Sequence, residues 1–101
     1  MHLHLVSDST GETVSHVARA SLVQFGDIHI EEHLWSMVRS DRQVEDILKD
    51  IAKKPGFVLY TLVDAHIQDP LVRGCKDLNI PCVSVLNPIV ENLRQYLGQE
   101  G

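Results

Sequence analysis

A regular alternation between short apolar segments and longer amphipathic segments constrains the fold more than any other feature of this 101-residue chain. The short segments have the length and β-branched character of strands, whereas apolar side chains in the longer segments recur at helical spacing. Strands are predicted over residues 2–6, 28–38, 57–63 and 81–85. Helices are predicted over residues 12–25, 41–54, 67–78 and 88–97. Each predicted strand is therefore followed by a helix.

This alternation predicts an α/β domain, because a strand, a crossover helix and a parallel strand form a right-handed unit with its helix on one face of the sheet. The third strand segment is apolar almost throughout, as is typical of a strand covered on both faces. The chain contains no repeat or linker, so residues 1–101 are predicted to form one domain. We expect a three-layer α-β-α structure with a four-stranded parallel sheet in the order 2-1-3-4, similar to flavodoxin and Rossmann folds.

Capping residues and breakers mark the predicted helix ends. Gly26 follows the first helix, and Pro55 ends the second. Pro70 is tolerable in the third helix only within its first turn. Asn87 is predicted to cap the last helix, with Pro88 at its first position. The side chains predicted to face the core are Val14, Val17, Ala18, Ser21, Leu22 and Phe25 in the first helix, Leu71, Val72, Cys75 and Leu78 in the third, and Ile89, Val90, Leu93, Tyr96 and Leu97 in the last.

The charge balance argues against nucleic acids and anionic membranes as partners. The chain has 9 Lys and Arg against 14 Asp and Glu, a formal net charge of -5, and its cations do not cluster. Binding to such polyanions requires several cations on one face.

The chain has two cysteines, Cys75 and Cys82. They are too few for a domain stabilised by disulfide bonds, and the chain has enough apolar residues for a core, so both cysteines are predicted to be reduced and buried. The apolar runs are too short for a membrane span, and a cytoplasmic location is expected.

The predicted topology brings chemically useful residues to one edge of the sheet. In open parallel sheets, ligands bind beyond the carboxyl ends of the strands, beside the point where the strand order reverses. Here that crevice lies between the first and third strands. The residues delivered to this edge are 7–13, Arg39, Ser40, Asp64, Leu86 and Asn87. They form the candidate functional site.

The loop after the first strand has the composition of an anion site. Short hydroxyls and a flexible glycine precede a helix whose free N–H groups and dipole favour negative charge. Asp8 and Glu12 would repel an anion unless a cation intervenes. Alternatively, Ser9 or Thr10 caps the helix and needs no ligand. The residues predicted to bind phosphate or another anion are Ser7, Ser9, Thr10, Gly11 and Thr13, together with Arg39.

Two further residues of the crevice each have a functional and a structural interpretation. Arg39 is the cation at this edge, so its planar guanidinium would complete an anion site, or it would be a solvated arginine before a helix. Asp64 would hold a metal ion or a ribose hydroxyl, or it would cap the third helix. Asp8 and Asp64 are both expected at the edge of the crevice.

The histidines do not form a zinc pattern, although the chain has six of them. They lack companion cysteines, and no two of them lie four residues apart on a predicted helix, as zinc ligand sets would require. His4, on a central strand, is predicted to be a hydrogen-bonded core residue, and no metal site is predicted. The chain contains no P-loop, no dinucleotide-binding glycine fingerprint and no nucleophile elbow. It therefore lacks a recognisable nucleotide-binding loop, and its catalytic residues are unknown.

The residues from His4 to Thr13 read His-Leu-Val-Ser-Asp-Ser-Thr-Gly-Glu-Thr, and residues 17–20, 33–40, 59–64 and 81–88 extend the same pattern. This sequence resembles the N-terminal half of the bacterial pyruvate, phosphate dikinase regulatory protein family, which includes the phosphoenolpyruvate synthase regulators. The resemblance covers essentially the whole chain. Its first segment is the most specific part.

The resemblance implies a bifunctional parent enzyme. Such an enzyme is an ADP-dependent serine/threonine kinase that inactivates the dikinase, and a phosphate-dependent phosphorylase that removes the phosphoryl group as pyrophosphate. It implies ADP or ATP, phosphate and Mg²⁺ as ligands of the parent, and the dikinase or the synthase as its protein substrate. The family's nucleotide loop belongs to a C-terminal domain outside this sequence, so the chain alone is expected to need no cofactor and to be inactive as a kinase.

Two other functions are compatible with the sequence. One is a small flavodoxin-like module that binds FMN or phosphate through Thr10 and Gly11. The other is a purely structural interaction domain in which the loop only caps a helix. Whatever the function, a sheet with a short last strand leaves one edge exposed, and this edge is predicted to take further strands or a second copy of the chain and to be the junction with a further domain.

Overall fold

The computed structural model describes residues 1–98 and confirms the predicted α/β fold. The strands are β1 (His2–Ser7), β2 (Glu31–Trp35), β3 (Gly56–Thr61) and β4 (Cys82–Ser84). The helices are α1 (Glu12–Leu22), α2 (Asp41–Lys53), α3 (Ala65–Asp77) and α4 (Asn87–Leu97), and a 3-10 turn over Val23–Phe25 extends α1. The four strands form one parallel sheet in the order β2-β1-β3-β4, as predicted, with helices on both faces.

Strand β1 occupies the interior of the sheet. Its residue His2 lies opposite Glu31 of β2 and opposite Gly56 of β3. Because side chains alternate along a strand, β1 directs His4 and Val6 to one face of the sheet and Leu3 and Leu5 to the other. All four of these side chains are buried. The sheet therefore has a core on each side.

The two cores differ in size. The larger one lies between the sheet and helices α2 and α3, and its buried members are Val6, Val38, Val44, Ile47, Ile51, Val58, Tyr60, Leu62, Ile67, Leu71 and Cys75. The smaller one lies beside α1, and its buried members are Leu3, Leu5, Val14 and Ala18. No residue of α4 is buried.

Several side chains predicted to face the core are exposed. Phe25 and Leu78 are exposed at the ends of their helices, where the chain turns away from the sheet. On α4 the exposed side chains are Ile89, Val90, Leu93, Tyr96 and Leu97. The periodicity of α4 is amphipathic as predicted, but nothing within residues 1–98 covers its apolar side. The expectation that this side faces the core is wrong for the described part of the chain.

Strand β2 is shorter than predicted because the backbone on each side of it takes another conformation. Before the strand, the N–H of Ile28 donates to the carbonyl of Gly26 in a tight turn. After it, Met37 adopts a left-handed conformation with φ of 54°, which an extended strand excludes. The N–H groups of Met37 and Val38 instead donate to the carbonyls of Ser9 and Ser7. This pairing joins the end of β2 to the loop after β1.

Helices α3 and α4 begin differently from the prediction. Asp64 caps α3, so this helix starts at Ala65 and Pro70 lies beyond its first turn. Asn87 does not cap α4 but is its first residue, and its N–H donates to the Ser84 hydroxyl at 2.9 Å. The cap position of α4 is Leu86, without a side-chain hydrogen bond.

The predicted burial of three other residues is confirmed in part. His4 is fully buried, and its Nε2 donates to the carbonyl of Lys54 at 2.8 Å. Burial lowers the pKa of this imidazole, so the ring is neutral near pH 7. Both cysteines are free thiols; Cys75 is buried, as predicted, and Cys82 is half-buried. No helix within residues 1–98 is long and apolar enough to cross a membrane.

Candidate functional site

A cleft of about 360 Å³ lies at the carboxyl end of the sheet, at the predicted crevice between β1 and β3. It collects residues from three separate loops. The lining residues are Asp8, Ser9, Val38, Arg39, Asp64 and Ile67. Four of these six were predicted for this edge, and the two apolar ones form the floor of the cleft as continuations of the larger core.

Asp8 links the loops around the cleft. One of its carboxylate oxygens accepts a hydrogen bond from the backbone N–H of Val63 at 3.2 Å, just after β3. Its backbone carbonyl accepts from Nε of Arg39 at 3.1 Å. The loop after β1 is thereby tied to the end of β3 and to the residue before α2. The carboxylate of Asp8 is held in place by a backbone donor rather than by a cation.

Arg39 presents a cation to the cleft. Its Nε donates to the backbone carbonyl of Asp8, and its backbone N–H donates to Oε1 of Gln43 at 2.8 Å. Within residues 1–98 its two terminal guanidinium nitrogens have no protein acceptor. A guanidinium fixed through Nε leaves those two nitrogens available for the oxygens of an anion such as phosphate or carboxylate. This geometry is compatible with the anion-binding interpretation.

The two serines of the loop are ordered by each other. Ser7 is buried, and its hydroxyl accepts a hydrogen bond from the backbone N–H of Ser9 at 3.0 Å. The two hydroxyl oxygens lie 3.4 Å apart. Ser7 therefore shapes the turn from inside the protein, whereas Ser9 lines the cleft. Of the two serines, Ser9 is the one able to meet a ligand.

Helix α1 has no side-chain cap, contrary to the alternative in which Ser9 or Thr10 supplies one. Gly11 occupies the cap position in a left-handed conformation with φ of 90°. The positive φ favours glycine here, and a Cβ at this position would also lie 2.7 Å from Cδ1 of Leu34, so that side chain would have to move. The N–H groups of the first turn are consequently left to solvent or a ligand. Thr10 and Thr13 are exposed and do not line the cleft.

Two roles were predicted for Asp64, ligand binding and capping of the third helix, and the structure shows the capping role. Its Oδ1 accepts from the N–H of His66 at 2.9 Å and caps α3. It also lines the cleft, where its negative charge accompanies the positive charge of Arg39. The cleft thus contains two carboxylates and one guanidinium. A bound anion requires either direct contact with Arg39 or a cation beside the carboxylates.

Not every residue predicted for this edge reaches the cleft. Leu86 and Asn87 line a neighbouring cleft between the ends of β3 and α4, where the Asn87 amide donates to Oε1 of Gln68 at 3.0 Å. Val38 and Ile67 were missed as lining residues. The available signal is that Val38 directly precedes Arg39 and that Ile67 lies about one helical turn after Asp64. No aromatic side chain lines the Arg39 cleft within residues 1–98, so the FMN alternative has no stacking partner there.

Comparison with known proteins identifies relatives of the whole chain. The family described as kinase/pyrophosphorylase matches residues 3–101. A pyruvate, phosphate dikinase regulatory protein of Rhizorhabdus wittichii is 46% identical over 99% of this chain and 36% of its own length. The corresponding protein of Rhodospirillum rubrum is 45% identical over 99% and 36%. That of Paramagnetospirillum magneticum is 48% identical over 98% and 32%.

These matches confirm the resemblance found in the sequence. The chain spans about a third of the length of the curated relatives it matches. The match includes the loop after β1, Arg39 and Asp64, so the family sequence runs through every element that builds the cleft. With a family match over residues 3–101 and identities of 45% and more across almost the entire chain, this protein belongs to the kinase/pyrophosphorylase family.

Proposed function

We propose that this chain is the N-terminal part of a pyruvate, phosphate dikinase regulatory protein and that its Arg39 cleft binds a phosphate group. In the parent enzyme that group would be inorganic phosphate or the phosphorylated segment of the dikinase. The observation that carries the proposal is Arg39, which is fixed to Asp8 through Nε while its terminal nitrogens remain free at the cleft.

The surroundings of Arg39 support an anion of this kind. The hydroxyl of Ser9 lies in the same cleft and offers a further donor. The negative charge of Asp8 and Asp64 is partly offset because each carboxylate already accepts a backbone N–H. Their remaining oxygens are hard ligands of the kind that Mg²⁺ prefers, so these two residues would hold a magnesium ion that accompanies a phosphate. Mg²⁺ there would neutralise charge and leave Arg39 to orient the anion.

The catalytic steps belong to the whole regulatory enzyme. We propose that the parent transfers the terminal phosphoryl group of ADP to a threonine of the dikinase, which leaves AMP. In the reverse regulation, phosphate takes that group from the threonine, which regenerates the hydroxyl and gives pyrophosphate. Phosphoryl transfer requires a site that positions the nucleotide and neutralises its charge. This chain has no P-loop, so we expect it to bind phosphate without acting as a kinase.

Thermal unfolding with and without ligands tests the phosphate site. A ligand at a hundredfold excess over its dissociation constant stabilises a protein by about 2.7 kcal/mol, which for a domain of this size raises the midpoint by roughly ten degrees or more. We expect phosphate to raise the midpoint and Arg39→Gln to abolish the shift. Arg42→Gln, an exposed arginine one turn further on, is the matched control and should retain it.

Three results would contradict the proposal. The first is a thermal midpoint that neither phosphate nor pyrophosphate changes. The second is a phosphate-induced shift of the midpoint that is as large in Arg39→Gln as in Arg42→Gln. The third is stabilisation of the chain by FMN alone. Kinase assays with the dikinase, ADP and Mg²⁺ complete the test, with a full-length relative as the positive control. There the isolated chain should be inactive, and Arg39→Gln introduced at the matching residue of the relative should lower activity without unfolding it. Unchanged activity would favour the purely structural alternative.

A further inference from the structure

A second cluster of polar side chains lies at the amino end of the sheet, at the edge opposite the Arg39 cleft. It consists of His2 on β1 and Glu31 and His33 on β2. The parallel register places His2 opposite Glu31, and His4 opposite His33. Because alternate residues share a face, all of these side chains project from the same side of the sheet. Two adjacent strands therefore bring two imidazoles and a carboxylate together.

The spacing of the three side chains is that of ligands around one ion. Nδ1 of His2 lies 3.0 Å from Nε2 of His33 and 3.6 Å from Oε2 of Glu31, and one ligand atom from each residue lies within 4.8 Å of the others. Zinc ligands at about 2.0–2.1 Å in tetrahedral geometry are separated by about 3.3–3.4 Å. Slight separation of the two nitrogens therefore makes room for a cation.

A buried histidine supports the cluster from below. The ring of His4 stacks on that of His33 with centroids 4.9 Å apart and an interplanar angle of 23°. His4 itself is immobilised by full burial and by its hydrogen bond to the carbonyl of Lys54. His33 is thus packed against a neighbour whose own position is fixed. The cluster is organised before any ion binds.

The donor set indicates which ions it would bind. Two imidazole nitrogens and one carboxylate oxygen suit zinc and the similar divalent transition metals, whereas Mg²⁺ and Ca²⁺ prefer oxygen ligands alone. The side chains of His2 and Glu31 are 31% and 56% exposed, so water can reach a fourth coordination position. The sequence gives no zinc spacing because the ligands come from two strands and meet only through their register.

We propose that His2, Glu31 and His33 form a zinc-type metal site that ties the edge strand β2 to the central strand β1. The competing arrangement contains no ion, and the two imidazoles then share a simple hydrogen bond. The site is independent of the phosphate cleft, because it lies at the other end of the sheet and uses none of the same residues.

Metal titration of the untagged, chelator-treated chain in phosphate-free buffer tests the proposal. We expect one equivalent of Zn²⁺ to bind by calorimetry and to raise the thermal midpoint, and Co²⁺ to give the visible absorption of a nitrogen-ligated site. His33→Gln should weaken Zn²⁺ binding at least about tenfold. His16→Gln, an exposed histidine on α1, is the control and should bind as the parent chain does.

If His33→Gln disturbs the fold, a second variant, Glu31→Gln, still tests the proposal. Glu31 is exposed, so Glu31→Gln should leave the midpoint without metal unchanged while it weakens Zn²⁺ binding. Hydrogen exchange should show added Zn²⁺ protecting the amides of β2 in the parent chain. The absence of Zn²⁺ binding, or equal binding by Glu31→Gln and the parent chain, would overturn the proposal. Neither result depends on whether Arg39 binds phosphate.

Discussion

The two faces of the sheet are built from the same kind of sequence and reach very different degrees of burial. On one face, α2 and α3 bury Val44, Ile47, Ile51 and Leu71 against the sheet. On the other, the buried apolar residues of α1 are Val14 and Ala18. Helix α4, whose first residue Asn87 donates a hydrogen bond to Gln68 of α3, buries nothing. Both faces carry amphipathic helices with apolar side chains at helical spacing. Amphipathicity therefore shows that a helix can pack, and the tertiary structure shows whether it does.

The comparison indicates where the stability of this chain resides. Burial of apolar surface contributes about 25 cal/mol per Å², and most of the fully buried side chains belong to the α2–α3 face. The relatives are about three times as long as the chain. An apolar α4 that lies open within residues 1–98 is what we expect of a helix that completes its packing only in a longer protein.

The largest expected effect is on the α2–α3 face. Ile47 is fully buried in the larger core, so Ile47→Ala removes packed methyl groups and leaves a cavity. We expect the free energy of unfolding to fall by about 3 kcal/mol, as measured by denaturant titration. A loss below about 1 kcal/mol would show that this face is less tightly packed than the structure indicates.

A second effect concerns the contact between α2 and α3. A Cβ at Gly74 would lie 2.6 Å from Cδ2 of Leu48, so Gly74→Ala forces that side chain to move. We expect a loss of about 1–3 kcal/mol from overpacking. In a Leu48→Ala background the same substitution should cost nothing, because the clashing atoms are gone and alanine has the better helix propensity. Equal costs in both backgrounds would refute the steric explanation.

A smaller difference in stability is expected between variants at the N-terminal caps of α2 and α1. The hydroxyl of Ser40 accepts from the N–H of Gln43 at the start of α2, whereas α1 has no side-chain cap. Ser40→Ala should therefore cost about 1 kcal/mol of unfolding free energy. Thr10→Ala, next to the cap position of α1, should cost less than about 0.5 kcal/mol. Similar losses for both variants in thermal melts would show that Thr10 caps α1 after all.

The smallest effect is expected on α4. Leu93 is 52% exposed, so Leu93→Ala should change the unfolding free energy of this chain by less than about 0.5 kcal/mol. The same substitution in a full-length relative should cost more, if the longer chain covers this helix. A large loss in the isolated chain would mean that α4 packs on the sheet in solution, and it would remove the difference between α4 and the well-packed helices α2 and α3.

The sequence was sufficient for the fold and for the location of the cleft. Four strand-helix pairs imply a parallel sheet, and the reversal of strand order brings Asp8, Arg39 and Asp64 to one edge. Two kinds of information were missing. Periodicity identifies the apolar side of α4 but not what covers it, and local composition cannot show that Gly11, rather than Ser9 or Thr10, occupies the cap position of α1.

The amino-end cluster illustrates a third gap. His2 and His33 lie far apart in the sequence and share no motif, so only the pairing of β1 with β2 reveals their proximity. A shift of one residue in that register would point His33 to the opposite face. Local sequence motifs therefore predict sites in loops and at helix ends better than sites whose residues come from two strands.

The interior position of β1 also has a consequence for the order of folding. Both neighbours of β1 come later in the chain, since β2 starts at Glu31 and β3 at Gly56. During synthesis the apolar residues of β1 remain without their second partner until β3 has left the ribosome. Contacts between distant segments also slow folding, because long loops must close first. The segment that ends up buried in the interior of the sheet thus waits longest for its partners while the protein is being made, and during that time its unpaired backbone and apolar side chains are open to aggregation.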